Sequence, residues 1–598
     1  MIAIDTETCD PNLKAKGPGG FRGDGFCVGI SVYDGHKAEY FPIAHADGVN
    51  LDKATVVQQL KERFSTGEPK VFANAMYDLE WLDVTGIPVC GPIYDIQIAE
   101  PLLDENRFSY SLNSLAEKYL GETKKEAGLY IAAAKYGIKL GKKPEQAIKE
   151  NLWRFAPEHV APYAKADAEL TYKIFELQHP KLMAEDLWEL FTLESKLTRV
   201  LFEMRKRGVL VDVDYAQSLC SKVAENANDS QSELDQIAGM MVNVWAGADI
   251  AQACDSLGLA YLKTDKGAPS FPKAWLGGQK HEFFKLLLQT RQLDRAGAVY
   301  IQTKILDYVD SQGRIYPQFT QMRGDDGGTS TGRFSSKNPN FQQFPSDRTG
   351  FGKQIRACFL PEHGAQWGVF DHSQQEPRIA THYAILRGDG YAKSIADEFS
   401  NNLDADYYET VSEITGVERS KAKAIFLGLC YGMGKGKLKD TLGISAEECE
   451  AVLARFHARL PFAQSLSKYC TNIAKTRGYV KTLLGRRRRF DLYGPYEYTT
   501  PLPLEEAKAK WGNVSRYFCY KALNAVIQGS AADMIKHNMV SCYEAGYLPM
   551  LTIHDELDFN IYAPEDISRI KEIMETSLPL KMPLKVTVEI GGSWGAVE

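Results

Sequence analysis

The 598-residue sequence lacks several features that would place it in a specialised class of protein. Its 11 cysteines are odd in number and scattered, with no CxxC pair, so the sequence predicts neither a disulfide framework nor a structural zinc site. No apolar run reaches the ~18 residues that a membrane helix requires. We therefore expect no membrane segment and a location in a reducing compartment, the cytoplasm.

An excess of charge of one sign is also lacking. Lys and Arg number 70 and Asp and Glu number 77, a net charge of −7, so any basic surface for a polyanion must be local. The 44% hydrophobic content is ample for folded cores, which excludes disorder as the main state. At roughly 150 residues per domain, the length predicts about four globular units.

No internal repeat or low-complexity tract divides the chain, so its organisation is predicted from changes in periodicity. Residues 1–120 alternate strand patterns with helical stretches, which indicates an α/β unit, and residues 186–300 are mainly helical. Loops rich in Gly, Ser, Asn and Pro then precede a strand at Gln366–Phe370. A helix-rich region follows, and Met550–Ile561 is predicted as a strand or hairpin.

Three short polar patterns occur in the first unit: Asp5-x-Glu7, Asn74-x-x-x-Asp78 and Tyr163-x-x-x-Asp167. Alternate residues share a face of a strand, and residues four apart share a face of a helix. Neighbouring carboxylates repel one another unless a cation joins them, and oxygen-rich sets of this kind suit Mg²⁺ or Mn²⁺. A single DxE is more often a solvated strand end, so the order and spacing of the three patterns carry the prediction.

Two further acids lie at unusual places in strand patterns. Asp371 ends the apolar segment Trp367–Phe370, where a carboxylate can reach a metal in a cleft. In Met550–Ile561 the odd positions are apolar except Asp555. Either a tight turn at His554-Asp555 resets the alternation, or a carboxylate on a buried face requires a cation. When His554-Asp555-Glu556 is taken alone, an ordinary hairpin turn is the better explanation.

A helical stripe accompanies these acids. Arg419, Lys423, Leu427 and Tyr431 recur every four residues, each step drifting only about 40° around a helix. Two cations followed by an aliphatic and an aromatic group could bind a triphosphate and cover a flat base. A surface helix with solvated cations, and with Leu427 and Tyr431 packed inward, gives the same spacing.

Taken in order, these motifs resemble those of family A (DNA polymerase I-like) DNA polymerases with a proofreading 3′-5′ exonuclease, of the phage replicative type. The three polar patterns are similar to the three exonuclease motifs. Polymerase motifs A, B and C are matched by Asp371-His372-Ser373-Gln374-x-Glu376-x-Arg378, by the stripe ending at Tyr431-Gly432, and by His554-Asp555-Glu556. Thr331-Gly332-Arg333-Phe334 and Gln528-Gly529 also match the family. Three exonuclease motifs followed by three polymerase motifs in the right order leave little room for coincidence.

The resemblance implies a multidomain chain of α/β and α+β class, with a ribonuclease H-like exonuclease domain followed by a right-hand polymerase of thumb, palm and fingers. The expected segments are the exonuclease domain at 1–185, the thumb at 186–315, the palm at 316–410 and 516–598, and the fingers at 411–515. Because Met1 leads directly into a strand pattern, we expect neither a signal peptide nor a 5′-nuclease domain before it. Together with the intact set of proofreading residues and Leu427, this favours phage genome replication over bacterial repair or gap filling.

The resemblance also implies roles for the site residues. Asp5, Glu7, Asp78 and Asp167 would hold two metal ions, and Tyr163 would orient the attacking water. In the polymerase, two Mg²⁺ ions, which Mn²⁺ can replace, would be held by Asp371, Asp555 and the backbone carbonyl of His372, with Glu556 nearby. The substrate-binding residues would be Lys423, Arg419, Leu427 and Tyr431 for the nucleotide, Glu376 against a ribose 2′-hydroxyl, and Arg333, Gln528, Asn524 and His554 for DNA. The arginines at 486–489 are predicted either to touch phosphate or to lie on a solvated loop.

Two residues depart from the family pattern. Tyr520 stands where relatives often carry Arg, and the sequence does not reveal the consequence. Leu427 stands where most members carry Phe or Tyr, and Phe426 precedes it. An aliphatic side chain cannot stack on the incoming base or sugar as a ring does. The sequence therefore predicts altered sugar discrimination and speed, with activity retained.

Three other functions are alternatives to this one. A ribonuclease D-type nuclease explains only the first 180 residues, and a single-subunit RNA polymerase lacks the Glu376 gate and the proofreading unit. A non-catalytic primer-template binding protein predicts that Asp371→Ala and Asp555→Ala leave function intact. The expected partners are primer-template DNA and dNTPs. A helicase or primase, a single-strand-binding protein and a processivity factor are further candidates that the sequence does not identify.

Overall fold

The computed structural model describes residues 1–124, 126–325, 327–345, 351–430, 433–495 and 499–597. The chain forms two compact units. The larger comprises Met1–Arg207, Phe319–Ser335 and Val369–Val588, and the smaller comprises Gly208–Gln318, Ser336–Gly368 and Glu589–Glu598. The boundaries of the five segments expected from the sequence do not coincide with those of the two units, and the segments stay predictions. No helix in the described ranges is both long enough and apolar enough to cross a bilayer.

A five-stranded sheet begins the larger unit. Its strands are β1 (Ile2–Cys9), β2 (Phe26–Tyr33), β3 (Ala38–Pro42), β4 (Lys70–Phe72) and β5 (Ile93–Asp95). The order is β3-β2-β1-β4-β5, and β1 runs antiparallel to β2 and parallel to β4. The central strand β1 starts with the buried residues Ile2, Ala3 and Ile4, and its acids follow. This is the α/β unit that the alternating patterns predict.

Helices pack around this sheet. They are α1 (Leu13–Lys16), α2 (Lys53–Phe64), α3 (Ala75–Thr85), α4 (Ile96–Leu103), α5 (Leu112–Leu120), α6 (Ala127–Lys135), α7 (Pro144–Asn151), α8 (Pro157–Ala184) and α9 (Trp188–Arg207). Pro157 opens α8, a position where the missing N–H costs no helical hydrogen bond. The predicted pairing of Tyr163 and Asp167 on one helix is confirmed, because both lie in α8.

The smaller unit is mainly helical, as predicted for residues 186–300. Its elements, with those that flank it, are β6 (Val209–Val211), α10 (Val213–Ala238), α11 (Gly247–Ser256), β7 (Leu262–Lys263), β8 (Pro269–Ser270), α12 (Lys273–Leu276), α13 (Glu282–Asp294), a π-helix (Arg295–Leu306), β9 (Arg314–Ile315), β10 (Gln318–Thr320), β11 (Ser335–Lys337), α14 (Phe351–Arg356) and β12 (Phe359–Leu360). Leu234, Ile250, Phe283 and Leu287 belong to one buried cluster within it.

The rest of the larger unit combines helices with short strands. The elements are β13 (Gln366–His372), α15 (Gln375–Leu386), α16 (Gly390–Asn401), α17 (Tyr407–Thr415), α18 (Arg419–Cys430), α19 (Lys435–Leu442), α20 (Ala446–Arg459), α21 (Pro461–Arg477), β14 (Tyr479–Lys481), β15 (Arg487–Arg489), β16 (Leu492–Gly494), β17 (Leu502–Pro503), α22 (Leu504–Trp511), β18 (Ser515–Arg516), α23 (Ala522–Glu544), β19 (Pro549–Ile553), β20 (Glu556–Ile561), α24 (Pro564–Thr576) and β21 (Val586–Gly591). Single 3₁₀ turns occur at Leu152–Arg154, Phe341–Gln343 and Cys519–Lys521.

A four-stranded sheet of order β19-β20-β13-β21 carries the later acids. Strands β19 and β20 form an antiparallel hairpin in which Ile553 pairs with Glu556. The loop therefore has two residues, His554 and Asp555, and His554 has a φ of 60°. Tight hairpins need such a positive φ at a central position. Of the two interpretations of Met550–Ile561, the tight turn that resets the alternation is confirmed.

Candidate active sites

Three elements bring the first set of acids together, which we call the N-terminal acidic site: Asp5, Glu7, Asp78 and Asp167. Asp5 and Glu7 lie on β1, Asp78 lies in the first turn of α3, and Asp167 lies on α8. Glu7, Asp78 and Asp167 are buried, and Asp5 is half-buried. The register of β1 with β2 shifts between Glu7 and Thr8, immediately after this pair of acids.

Hydrogen bonds fix the position of Asp78. Its Oδ1 accepts from the backbone N–H of Thr6 at 2.9 Å and from the Thr6 hydroxyl at 2.7 Å. The start of α3 is held by buried Asp95, which accepts from the N–H groups of Asn74 at 3.2 Å and Ala75 at 2.7 Å. The sequence motifs do not reveal Asp95, although a carboxylate at the end of β5 is a typical helix cap.

Asn74 does not lie in the helix that the Asn74–Asp78 pattern predicts. It precedes α3 in a left-handed conformation, with a φ of 79°. Asn tolerates this conformation better than most residues because its short polar side chain can hydrogen-bond locally. Only Asp78 of this motif is therefore presented from the helix.

The acids of this site destabilise one another's charged forms. Burial, and next the neighbouring Asp167 carboxylate, raise the pKa of Asp5 to about 7. Burial followed by repulsion from Asp5 and Asp167 raises the pKa of Glu7 well above its usual range, and burial followed by Asp5 does the same to the pKa of Asp78. Such mutual repulsion arises when carboxylates face a common space without a cation.

Lys124 also lies at this site, and no sequence motif identified it. Its ammonium donates to Oδ2 of Asp167 and to the Tyr163 hydroxyl, the latter at 3.3 Å. Burial alone would lower the pKa of Lys124, but the pair with Asp167 outweighs it, and the pKa lies above its usual value. Lys124 thus carries a positive charge among the four acids.

The donor set of the N-terminal acidic site suits a hard divalent cation. Oε1 of Glu7 and Oδ1 of Asp167 are buried without a hydrogen-bond partner, and buried charged oxygens need a cation or a donor. In the described part of the chain, no three His, Cys, Asp or Glu side chains already converge as an ion cage. Like charges that repel are not expected to close into a cage before a cation joins them.

The C-terminal acidic site, which we define as Asp371, Asp555 and Glu556, is built on neighbouring strands. Asp371 lies near the end of β13, and the His554-Asp555 loop joins β19 to β20, the strand beside β13. The backbone N–H of His372 donates to the carbonyl of Asp555 at 3.3 Å. Asp371 and Asp555 are 184 positions apart in the sequence. The pairing of β13 with β20 brings their backbones together at one end of these strands.

The side chain of His372 points into the core. It is 1% exposed, and its Nε2 lies 2.7 Å from Nδ2 of Asn538. Burial, followed by the positive charge of Arg378, lowers the pKa of His372 to about 4. Any contribution of His372 to a cation at this site would therefore come from its backbone.

Two predicted substrate-binding residues contact each other beside this site. A guanidinium nitrogen of Arg333 donates to Oε1 of Glu376, which lies in the first turn of α15. Arg378 of the same motif is fully buried and donates to the carbonyls of Ser373, Pro583 and Leu403. Arg378 thus holds the start of α15 and, with it, Glu376.

The first three residues of the predicted stripe, Arg419, Lys423 and Leu427, lie on helix α18. Arg419 donates from Nε to Oδ2 of Asp406 at 2.6 Å, and Lys423 is exposed. Both cations lie over the ring of buried Tyr408, at 5.6 and 5.9 Å from its centroid. Leu427 is half-buried and packs against a hydrophobic cluster, whereas Tyr431 lies outside the described residues.

Tyr408 and Asp406 are site residues that the motifs do not reveal. Burial, followed by the negative charges of Glu376 and Asp555, raises the pKa of Tyr408. Its hydroxyl therefore lies within electrostatic reach of both Glu376 and Asp555. Neither residue belongs to a recognisable motif, because α17 meets the acids only in the folded chain.

Helix α23 carries the predicted DNA-binding residues Asn524 and Gln528, one turn apart on one face. Oδ1 of Asn524 is buried without a hydrogen-bond partner. Close packing explains the glycine at position 529, because a Cβ there would lie 2.5 Å from Thr482 Cγ2 and 3.2 Å from the carbonyl of Thr331. The Thr331-Gly332-Arg333 segment therefore packs directly on α23, while His554 is exposed on the hairpin.

The four arginines at 486–489 have acidic partners in the same chain. Arg487 and Arg489 pair with Glu185, both at 2.7 Å, and Arg488 and Arg489 pair with Glu105. Arg486 is 4% exposed and pairs with Glu194 and Asp533. The solvated-loop alternative is therefore wrong, and Arg486 is not accessible to phosphate.

Comparison with known proteins supports the motif assignments. Residues 213–596 match the family described as DNA polymerase family A, and residues 1–182 match the family described as 3′-5′ exonuclease. A DNA-directed DNA polymerase of Pseudomonas phage M6 is 34% identical over 99% of this chain and 94% of its own length. DNA polymerase DpoZ of Acinetobacter phage SH-Ab 15497 is 28% identical over 90% of this chain and 89% of its own length.

Bacterial proteins are similar as well. DNA polymerase I of Pseudomonas aeruginosa is 30% identical over 99% of this chain, which spans 63% of that protein. The POL domain of Pol1 from M. smegmatis, solved in complex with DNA primer-template and dNTP, matches with a TM-score of 0.76 at 23% identity. That match covers 100% of this chain and 96% of the solved chain, and it shows the same fold.

Proposed function

Because this chain belongs to DNA polymerase family A and carries a 3′-5′ exonuclease domain, we propose that it adds nucleotides at the C-terminal acidic site and removes them at the N-terminal one. The chain is a DNA-directed DNA polymerase. The observation that carries the site assignment is the backbone hydrogen bond from His372 to Asp555, which joins β13 to the hairpin of β19 and β20 at one end of the sheet.

The residues of the C-terminal acidic site would hold two Mg²⁺ ions through Asp371, Asp555 and the His372 carbonyl, with Glu556 beside them. When bound, such ions lower the pKa of the primer 3′-hydroxyl and neutralise charge on the leaving pyrophosphate. By holding such ions, Asp371 and Asp555 would help to orient the attacking end of the primer. Preorganised charge of this kind is usually the largest catalytic contribution.

The cations near this site would bind the phosphates of the incoming dNTP. Lys423 is exposed and available, whereas Arg419 is paired with Asp406. A triphosphate offers Arg419 a more highly charged partner than one carboxylate, so nucleotide binding would draw it from Asp406. Tyr408, beneath both cations, would keep them over the site.

Sugar selection would rest on Glu376. Its carboxylate is 14% exposed and is held by Arg333, so it cannot swing away without breaking an ion pair. A ribose 2′-hydroxyl would clash with this side chain. Arg333, Gln528, Asn524 and His554 would hold the primer terminus by shape rather than by sequence, as a copying enzyme requires.

At the N-terminal acidic site, Asp5, Glu7, Asp78 and Asp167 would hold a second pair of divalent cations. Tyr163, whose hydroxyl faces Asp167 and Lys124, would orient the water that attacks the terminal phosphodiester. The bound ions would supply positive charge to the attacking and leaving oxygens. Removal of a mispaired 3′ nucleotide by the same chain would correct errors made at the other site.

We place this enzyme in phage genome replication, in the cytoplasm of a bacterial host. DNA polymerases of two phages are 34% and 28% identical to this chain, over 99% and 90% of its length. Primer-template DNA and dNTPs are the proposed partners, since the M. smegmatis POL domain of the same fold binds both in its complex. A ribonuclease D-type nuclease does not account for the polymerase match at 213–596.

Labelled primer-template assays test this function. With Mg²⁺ and dNTPs we expect extension to the template end, and with Mg²⁺ alone we expect stepwise loss of the primer from its 3′ end. Both activities should stop in EDTA and return with Mg²⁺ or Mn²⁺. Extension with rNTPs as efficient as with dNTPs would favour an RNA polymerase instead, and shortening without extension would favour a nuclease.

Leu427→Tyr tests the role of Leu427, which stands where most family members carry Phe or Tyr. A ring with a hydroxyl gives a nucleotide that lacks its 3′-hydroxyl a new polar partner, and one such hydrogen bond is worth about 1 kcal/mol. We expect single-turnover discrimination between dNTP and ddNTP to fall by about 5- to 10-fold. Leu427→Phe is the matched control, since it adds the ring without the hydroxyl. An unchanged ratio would count against contact between this position and the nucleotide.

A further inference from the structure

Lys124 is an enclosed lysine beside the proposed exonuclease chemistry. It follows α5, and its backbone N–H donates to Oδ1 of Asn113 at 3.0 Å, which fixes the segment to that helix. Its side chain is 13% exposed, and the Asp167 side chain that it contacts is 3% exposed. A long, flexible side chain held in this way loses much of its rotamer freedom. The fold thus places this ammonium at one point.

Two contacts of the Lys124 ammonium indicate its function. The ammonium reaches both the Asp167 carboxylate and the Tyr163 hydroxyl, and it lies 5.2 Å from the centroid of the Tyr163 ring. Tyr163 and Asp167 are one turn apart on α8, so Lys124 joins them from outside the helix. The hydroxyl is left able to donate its own proton, because an ammonium only donates.

We propose that Lys124 is a positioning residue of the exonuclease site, which sets the Tyr163 hydroxyl and the Asp167 carboxylate in the geometry needed to orient water. The inference rests on the proposed function of the N-terminal acidic site. Groups that orient a site's direct ligands typically contribute about 10- to 100-fold to metal affinity or activity. This role requires that Lys124 keep its contact with Tyr163 when a cation joins the acids.

The rival role for Lys124 is that of a stand-in cation. In that case the ammonium would only neutralise the acids until a divalent cation arrives, and would then have no effect on the reaction. The two roles differ in what happens at saturating Mg²⁺. A positioning residue limits the maximal rate there, whereas a stand-in only competes for the site.

The test compares Lys124→Met and Lys124→Arg with the parent in single-turnover excision across a Mg²⁺ titration. Lys149→Met is the matched control, because Lys149 is exposed and acts on Asp5 and Glu7 only through its charge. We expect Lys124→Met to lower the maximal excision rate by about 10- to 100-fold, without recovery at high Mg²⁺. Lys124→Arg should regain part of the rate, and Lys149→Met should stay within about twofold of the parent.

A double-mutant cycle tests whether the effect of Lys124 on the excision rate depends on the Tyr163 hydroxyl. Since Lys124 is proposed to act through both the Tyr163 hydroxyl and the Asp167 carboxylate, Lys124→Met should lower the rate by a smaller factor in a Tyr163→Phe background than in the parent, because coupled residues are not additive. Full additivity would overturn the assignment. Primer extension by each variant reports on folding and should equal that of the parent.

Thermal unfolding gives a readout that does not depend on excision. The positioning role predicts that Lys124→Met lowers Tm in both EDTA and Mg²⁺, whereas a stand-in lowers it in EDTA only. A lower Mg²⁺ requirement with an unchanged maximal rate would also overturn the proposal. Asp5→Ala distinguishes an error in the proposed exonuclease site from an error in the role of Lys124. Excision that survives Asp5→Ala contradicts the site itself, while loss there with full excision by Lys124→Met contradicts Lys124 alone.

Discussion

Asp371→Asn should slow nucleotide addition by at least about 10³-fold while DNA binding and excision remain. The substitution keeps the shape of the side chain and removes the charge that would hold a divalent cation at the end of β13. Metal-ion stabilisation of the transition state is worth several kcal/mol, and each 1.4 kcal/mol is a factor of ten in rate. Rapid-quench measurement of a single dNTP addition gives the rate directly.

The design includes its own controls. Asp397→Asn changes the same charge on the exposed face of α16 and should leave the rate within about twofold. Excision of the same primer reports that the chain is folded, since the N-terminal acidic site lies on different elements. A rate for Asp371→Asn within tenfold of the parent would show that this carboxylate is not a ligand of the reacting centre.

Glu194→Ala should lower the free energy of unfolding by about 3–5 kcal/mol, the cost of leaving buried charges uncompensated. Glu194 is fully buried in α9 and accepts from Lys536 at 2.7 Å, from Gln321 at 2.8 Å and from Arg486. Arg486 also pairs with Asp533, so two cations and two carboxylates balance within the cluster. Burial alone would raise the pKa of Glu194, but Lys536 and Arg486 outweigh it and hold the pKa below its usual value.

Denaturant unfolding followed by tryptophan fluorescence measures this effect. Glu189→Ala removes an exposed acid from the same helix and should cost less than about 1 kcal/mol. Glu194→Ala combined with Lys536→Met removes one charge of each sign and should recover part of the loss, because the remaining Arg486–Asp533 pair is balanced. If the double variant is as unstable as the sum of the single changes, the cluster is not held by charge balance.

The sequence predicts those parts of the fold that depend on local periodicity. The strands that begin at Ile2 and Phe26, and the shared helix of Tyr163 and Asp167, follow from patterns within a few residues. The tight turn at His554-Asp555 is visible as a break in strand alternation. The family assignment follows from motif order and is confirmed by the comparisons.

Contacts between distant segments are beyond such patterns. Lys124 and Asp167 are 43 residues apart, and Lys536 and Glu194 are 342 apart. The spacing predicts Asn74 on a helix, yet it directly precedes α3, and its backbone N–H and that of Ala75 donate to Asp95 from another strand. The sequence predicts Arg486 at phosphate or in solvent, but its partners come from α9 and α23. The individual substrate and metal contacts of the site residues stay predictions.

The most direct test of two separate active sites in one chain is a side-by-side assay of the parent, Asp5→Ala and Asp371→Asn on one labelled primer with a mismatched 3′ end. We expect Asp5→Ala to lose excision and keep synthesis on a matched primer, and Asp371→Asn to lose synthesis and keep excision. Loss of both activities in either variant, or retention of both, would contradict the account.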